Sequence, residues 1–188
     1  MPRATDNGLL GTRRRFATNL LASVAAAAAI HRAWGADSLQ ERRLRLSNLH
    51  TNEVVAVTFQ DAGGFIAESL RKLQHLLRDY RTGEEHEMDS ALYVQLSDLA
   101  RAAGREPAYE VISGYRAPAT NAKLHAQGHG VAEHSLHMEG RAMDVRLRGF
   151  DLAAFRDLAL AAKRGGVGYY PHSNFVHIDT GRVRTWEG

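Results

Sequence analysis

Residues 37–188 predict an α+β domain, an antiparallel β-sheet with flanking helices. Three observations carry that prediction. Long amphipathic periods fall mainly in the first half of this region, short strand-like runs dominate the second, and the two never alternate in the regular βαβ order of a doubly wound sheet.

The elements follow in order. The run "RLRLSNLHTNEVVAVTF" (43–59) reads as two short strands joined by a polar turn at Thr51-Asn52. In "FIAESLRKLQHLLRDY", Ile66, Leu70, Leu73, Leu77 and Tyr80 recur at helical spacing and mark one apolar face. A second helix starts at Asp89, a residue suited to N-capping, turns Leu92, Leu96 and Leu99 inward and stops at Gly104. "YEVISGYR" (109–116) is a strand entering a glycine turn, and "ATNAKLHAQG" is a short helix ending at Gly128. "RAMDVRL" is a strand, "DLAAFRDLALAAK" (151–163) a long helix closed by Gly165-Gly166, and "VGYY" and "NFVHIDT" are two final strands.

The first 36 residues read differently. They carry five arginines (Arg3, Arg13, Arg14, Arg15, Arg32) and a single acid, Asp6, so the rest of the chain lies within one charge of neutrality. A neutral body gives no reason to expect a nucleic-acid partner. Thr12-Arg13-Arg14-Arg15-Phe16, then a weakly apolar run from Leu20 to Ile30, has the order of a twin-arginine export signal. The apolar run is too short for a conventional membrane span. Residues 1–36 are therefore expected to export residues 37–188 to the periplasm, with membrane contact only through an uncleaved signal. Monomeric behaviour is expected.

The chain has no cysteine, which excludes disulfides, thiolate metal sites and a cysteine nucleophile. Any metal must sit on His, Asp and Glu. His137 and Asp144 in "HSLHMEGRAMDV" are seven residues apart, about 10 Å along a helix and over about 20 Å along a strand. Two ligand atoms of one zinc ion lie only about 3–3.5 Å apart. A reversal at Met138-Glu139-Gly140 closes that gap, because Gly140 accepts the positive φ of a tight turn. Asp144 also interrupts an otherwise apolar strand, and a buried carboxylate requires a cation or several donors. His177, in "NFVHIDT", offers a third ligand on a strand able to lie alongside. Two histidines and a carboxylate, with a position left for water, form the donor set of catalytic zinc.

The stretches "SGYRAPATN", "GVAEHSLHMEGRAMDVR" and "GGVGYYPHSNFVHIDTG" resemble the bacterial murein endopeptidase K group. That group is a branch of the zinc D-Ala-D-Ala peptidases, within the wider set that includes lysostaphin and the hedgehog proteins. The resemblance runs from about Leu46 to the C-terminus. It implies that His137, Asp144 and His177 hold one Zn2+ per chain and that Arg116 is the cation beside the metal. It also implies an antiparallel hedgehog-like or DD-peptidase-like fold, and peptidoglycan cross-links or stem peptides as substrate. On that basis Arg116 stabilises a developing oxyanion or holds a substrate carboxylate. Ser113, Tyr115 and Ser135 are expected on the substrate side, Ser135 alternatively behind His137.

One departure concerns the general base. Many zinc D-Ala-D-Ala peptidases place Asp or Glu three residues before the last ligand, where this chain has Asn174; lysostaphin-type enzymes place His two before, where it has Phe175. The candidates here are Asp179, then His134 and His172. Asp179 is equally suited to orienting a ligand histidine. Tyr169, Tyr170 and Pro171 read as strand-end packing or as cleft aromatics, and His125, His129, Glu133 and Glu139 as solvated groups. Two functions follow: a zinc endopeptidase of peptidoglycan, or a weak or inactive wall-binding protein with a structural zinc.

Overall fold

The computed structural model describes residues 41–128 and 132–188, so the expected export segment and His129 lie outside the described residues. Within them the elements are β1 (Arg42–Asn48), β2 (Val54–Asp61), β3 (Gly64–Phe65), α1 (Ala67–Leu76), α2 (Ser90–Ala102), β4 (Ala108–Ser113) and α3 (Pro118–Ala126). A single 3-10 turn (Leu136–Glu139), β5 (Ala142–Leu147), α4 (Leu152–Ala162), β6 (Gly166–Tyr170), β7 (Phe175–Asp179) and β8 (Arg184–Glu187) complete the chain. Among the described residues no helix is long and apolar enough to cross a membrane.

The α+β class stands, but the sheet is mixed rather than antiparallel. Its order is β3-β2-β1-β4-β5-β7-β6-β8, with β1–β4 and β6–β8 parallel. Each parallel pair has a topological cause. Between β1–β2 and β4 the chain passes through α1 and α2, a crossover of the length that parallel pairing requires. After β7 it turns through residues 180–183, passes β6 and pairs on the far side; a strand that reverses β7 runs with β6.

Local chemistry explains most boundaries. The Asp89 side chain caps α2 by accepting from the amide of Ala91, and Gly104 (φ 63°) ends the turn after it. The first helix stops at Leu76, short of the apolar periodicity that continues to Tyr80. Asp79 is the reason: its buried carboxylate accepts from the amides of Arg81 and Ala117 and pins a loop there. Tyr80 instead stacks on His50. Gly165 and Gly166 do not cap α4, which ends at Lys163 in the left-handed region. They are glycines because a Cβ at either would collide with Asp179.

Alternation divides the central strands between two environments. Met143, Val145 and Leu147 of β5 and Val176 and Ile178 of β7 join Leu92, Leu96, Leu99, Phe155 and Ala159 in the core. Asp144, His177 and Asp179 project from the opposite face. That face carries the site.

Candidate metal centre

A row across five strands builds the centre. Ser113, Asp144, His177, Gly168 and Trp186 are successive cross-strand partners from β4 through β5, β7 and β6 to β8. Asp144 and His177 are therefore directly opposed, the closest placement that two strands allow. His137 arrives from the 3-10 turn, which Ser135 caps by accepting from the His137 amide. Gly140 then reverses the chain with φ 66°, as the spacing requires, and a Cβ there would also overlap the carbonyl of Glu87. His137, Asp144 and His177 are all buried, and one ligand atom from each lies within 4.8 Å of the others.

The hydrogen bonds decide which atoms face inward. His137 donates Nδ1–H to the Gly114 carbonyl (2.7 Å), which leaves its Nε2 bare. His177 turns Nε2 to the Asp179 carboxylate (3.1 Å), which leaves its Nδ1 for the centre. His137 Nε2, His177 Nδ1 and Asp144 Oδ1 then converge at separations of 3.2, 3.3 and 2.9 Å. With both rings neutral these are three lone pairs pointed at one another with no donor between them. Such a set demands a proton or a cation, and the spacing is that of atoms sharing one zinc ion. The residues fit the metal.

The surrounding charges act in the same direction. Burial pushes His137 below the ordinary histidine range and keeps it neutral. Burial would lower His177 too, but Asp144 and Asp179 overcome it and raise its pKa, so without a metal His177 Nδ1 carries the proton that Asp144 accepts. Burial would raise both carboxyl groups. The two histidines hold Asp144 well below its usual value; His177, Arg184 and the amides of Gly166 and Gly181 do the same for Asp179.

Arg116 stands beside Asp144, with Nη2 3.8 Å from Oδ2. Its Nη1 donates to Asn121 Oδ1, and Asn121 is held in turn by the carbonyls of Ala132 and Glu133. The Arg116 Nε is buried without a partner among the described residues. A cleft opens over the three convergent groups, with Arg116, Ala132, His134, Ser135, Tyr170, Phe175, Arg184 and Trp186 around it.

The predicted residues separate accordingly. His137, Asp144, His177, Arg116 and Ser135 meet in the cleft. Ser113 stands in the cross-strand row but not in the cleft lining. Tyr115 turns the other way, buried and stacked on His86, with its amide on the Leu77 carbonyl. Asp179 lies behind His177, fully buried, with both oxygens engaged by Arg184, His177 and two backbone amides. Asn174 occupies the β6–β7 turn at φ 56°, a conformation that asparagine tolerates, and His172 is exposed in the same turn. Of the three base candidates only His134 reaches the cleft.

The sequence reading missed Arg184 and Trp186, because it ended the strands at "NFVHIDT". The alternation Arg184-x-Trp186 was the available signal. Trp186 tilts over His177 (ring centroids 5.0 Å), and Gly168 makes room for it, since a Cβ there would lie 2.5 Å from the indole.

Residues 36–186 match the family described as peptidoglycan L,D-endopeptidase MepK. The chain belongs to that family. It is accordingly a peptidase, a hydrolase of the zinc metallopeptidase kind. The peptidoglycan L,D-endopeptidase MepK of Escherichia coli (strain K12) is 47% identical over 145 residues, 77% of this chain and 80% of the relative. The protein of the same name from Shigella flexneri matches to the same extent. The probable peptidoglycan L,D-endopeptidase MepK of Haemophilus influenzae is 43% identical over 148 residues, 78% of this chain and 80% of the relative. No solved structure matches.

Proposed function

We propose that the chain is an exported, periplasmic zinc endopeptidase that hydrolyses peptide cross-links of bacterial peptidoglycan, at a bond of L,D type as in the relatives. One observation carries the metal chemistry: three ligand atoms converge in a buried face and open on a cleft edged by a guanidinium. His137 through Nε2, Asp144 through Oδ1 and His177 through Nδ1 would hold one zinc ion. When bound, zinc acts as a Lewis acid toward the scissile carbonyl and acidifies the attacking water.

The remaining work falls to the chain's own groups. Arg116 is anchored by Asn121 and lines the cleft, a guanidinium placed for the oxygen on which charge develops. His134, exposed at the cleft wall, takes the proton of the attacking water and returns it to the leaving amine. Asp179 does not transfer protons in this reading. It fixes the ring of His177 and keeps Nδ1 turned inward. A structural zinc in a wall-binding protein would have its coordination closed by a fourth protein ligand; among the described residues the group numbers three and faces the cleft.

The test uses zinc-loaded protein on isolated sacculi, with released muropeptides separated and weighed, and Asp144→Ala in parallel. Conversion of cross-linked dimers to monomers by the native protein alone is expected, and the fragment masses name the bond. A native protein that binds zinc and pellets with sacculi but leaves the profile unchanged would establish the wall-binding reading instead.

A further inference from the structure

We infer that Tyr170 is a catalytic residue of this site, its phenolic O–H donating a hydrogen bond to the substrate oxygen at the reacting carbon. The inference deepens the hydrolase reading above and rests on it. Tyr170 ends β6, pairs with Phe175 across the β6–β7 ladder and lines the cleft over the metal centre. Gly168 is the partner of His177 and lies two residues before Tyr170, so the tyrosine projects from the same face as the ligands. Its ring is stacked on Phe175, with centroids 4.5 Å apart and planes 21° from parallel, which removes most of its freedom to swing.

The decisive contact is at the hydroxyl. Trp186 Nε1 lies 2.8 Å from the Tyr170 oxygen. An indole N–H only donates, so the phenol oxygen is the acceptor and its own hydrogen must point elsewhere. Among the described residues that hydrogen has no acceptor, and Tyr170 faces the cleft. Trp186 is itself fixed, tilted over His177 and seated on Gly168. One ring thus covers a ligand histidine and also sets the direction of the tyrosine hydroxyl. Arg116 lines the same cleft, so two donors of different charge serve one space. A pair of preoriented donors is the usual way to hold the oxygen of a tetrahedral acyl-transfer intermediate. The tyrosine keeps its proton throughout. Water adds to the carbonyl carbon, the C–N bond breaks, and the proton that balances the leaving amine comes from the water.

The test compares wild type, Tyr170→Phe and Trp186→Phe, each zinc-loaded with metal content measured. Two readouts are taken. One is kcat and KM on sacculi. The other is the affinity for a phosphinate isostere of an L,D-dipeptide, whose tetrahedral phosphorus replaces the scissile carbonyl carbon. Tyr170→Phe is expected to lower kcat about 10- to 100-fold with KM within about threefold, and to weaken phosphinate binding at least about tenfold, with zinc content unchanged. Trp186→Phe, which frees the hydroxyl to rotate, is expected to show a smaller loss in the same two quantities. Unchanged phosphinate affinity in Tyr170→Phe overturns the inference, as does a loss confined to KM or matched by lost zinc. If wild type fails to cleave sacculi, the proposed function falls, and the phosphinate comparison still decides the role of Tyr170.

Discussion

His137 Nε2 and His177 Nδ1 lie 3.2 Å apart, and each ring has committed its other nitrogen to a fixed acceptor, the Gly114 carbonyl and the Asp179 carboxylate. Two neutral rings so placed repel, so the pair must hold either a proton or a metal ion.

Zinc uptake should therefore release a proton. The pKa of His177 is raised above its ordinary 6.5, because Asp144 and Asp179 outweigh the effect of burial. Stability from the charged ring is complete below that ordinary value and disappears as pH rises through the raised one. Zinc affinity should climb over the same interval, since the metal needs Nδ1 bare. Calorimetric titration in buffers of different ionisation enthalpy should show proton release on zinc binding that shrinks as the working pH is raised. No dependence on buffer would refute the exchange.

Asp144→Asn should abolish zinc-dependent stabilisation. With free zinc at about a thousand times its Kd, the native protein gains about 4 kcal/mol. In a domain of this size that raises Tm by roughly 8–16 °C. Scanning calorimetry with and without zinc should show that gap in the native protein and almost none in the variant.

Gly140→Ala should cost about 2–4 kcal/mol and weaken zinc binding. The added Cβ meets both the positive φ and the Glu87 carbonyl, and the turn that delivers His137 must shift. Gly140→Asn tolerates the dihedral but not the overlap, so denaturant melts should find it comparably destabilised.

Arg116→Ala should lower kcat by about 10²- to 10³-fold while leaving zinc content intact. The guanidinium is 3.8 Å from Asp144 and is not part of the convergent set. Arg116→Lys keeps the charge but not the fork, and should recover only part of the rate.

His134→Gln and Asp179→Asn should fail in different ways. The first lowers kcat with zinc affinity unchanged. The second loses about 10- to 100-fold in zinc affinity, the usual cost of removing a ligand's orienting partner. The opposite pattern would return Asp179 to the role of base.

Local rules made much of this legible from sequence. Leu92, Leu96 and Leu99 recur at helical spacing behind the Asp89 cap, so α2 was readable from end to end. His137, Asp144 and Gly140 stated their own geometry, because only a reversal joins ligands seven residues apart. The mixed sheet was not readable. The sense in which β4 meets β1 depends on how α1 and α2 cross the sheet, and no short window of sequence contains that path.

The same division holds at the site. The sequence by itself determined the donor chemistry: with no cysteine, a metal here must sit on His, Asp or Glu, the family resemblance implies His137, Asp144 and His177, and bringing the first two together takes a turn at Gly140. Only the tertiary structure decided which nitrogen of each ring faces inward, that Tyr115 is buried against His86, that Asp179 stands behind His177, and that Trp186 aims the Tyr170 hydroxyl. Ligand identity is set by residue type and local spacing, which a sequence displays. Orientation is set by contacts such as His137 to Gly114, 23 residues apart, Trp186 to Tyr170, 16 apart, and Gly166 to the Asp179 that holds His177, 13 apart, which form only when the strands pair.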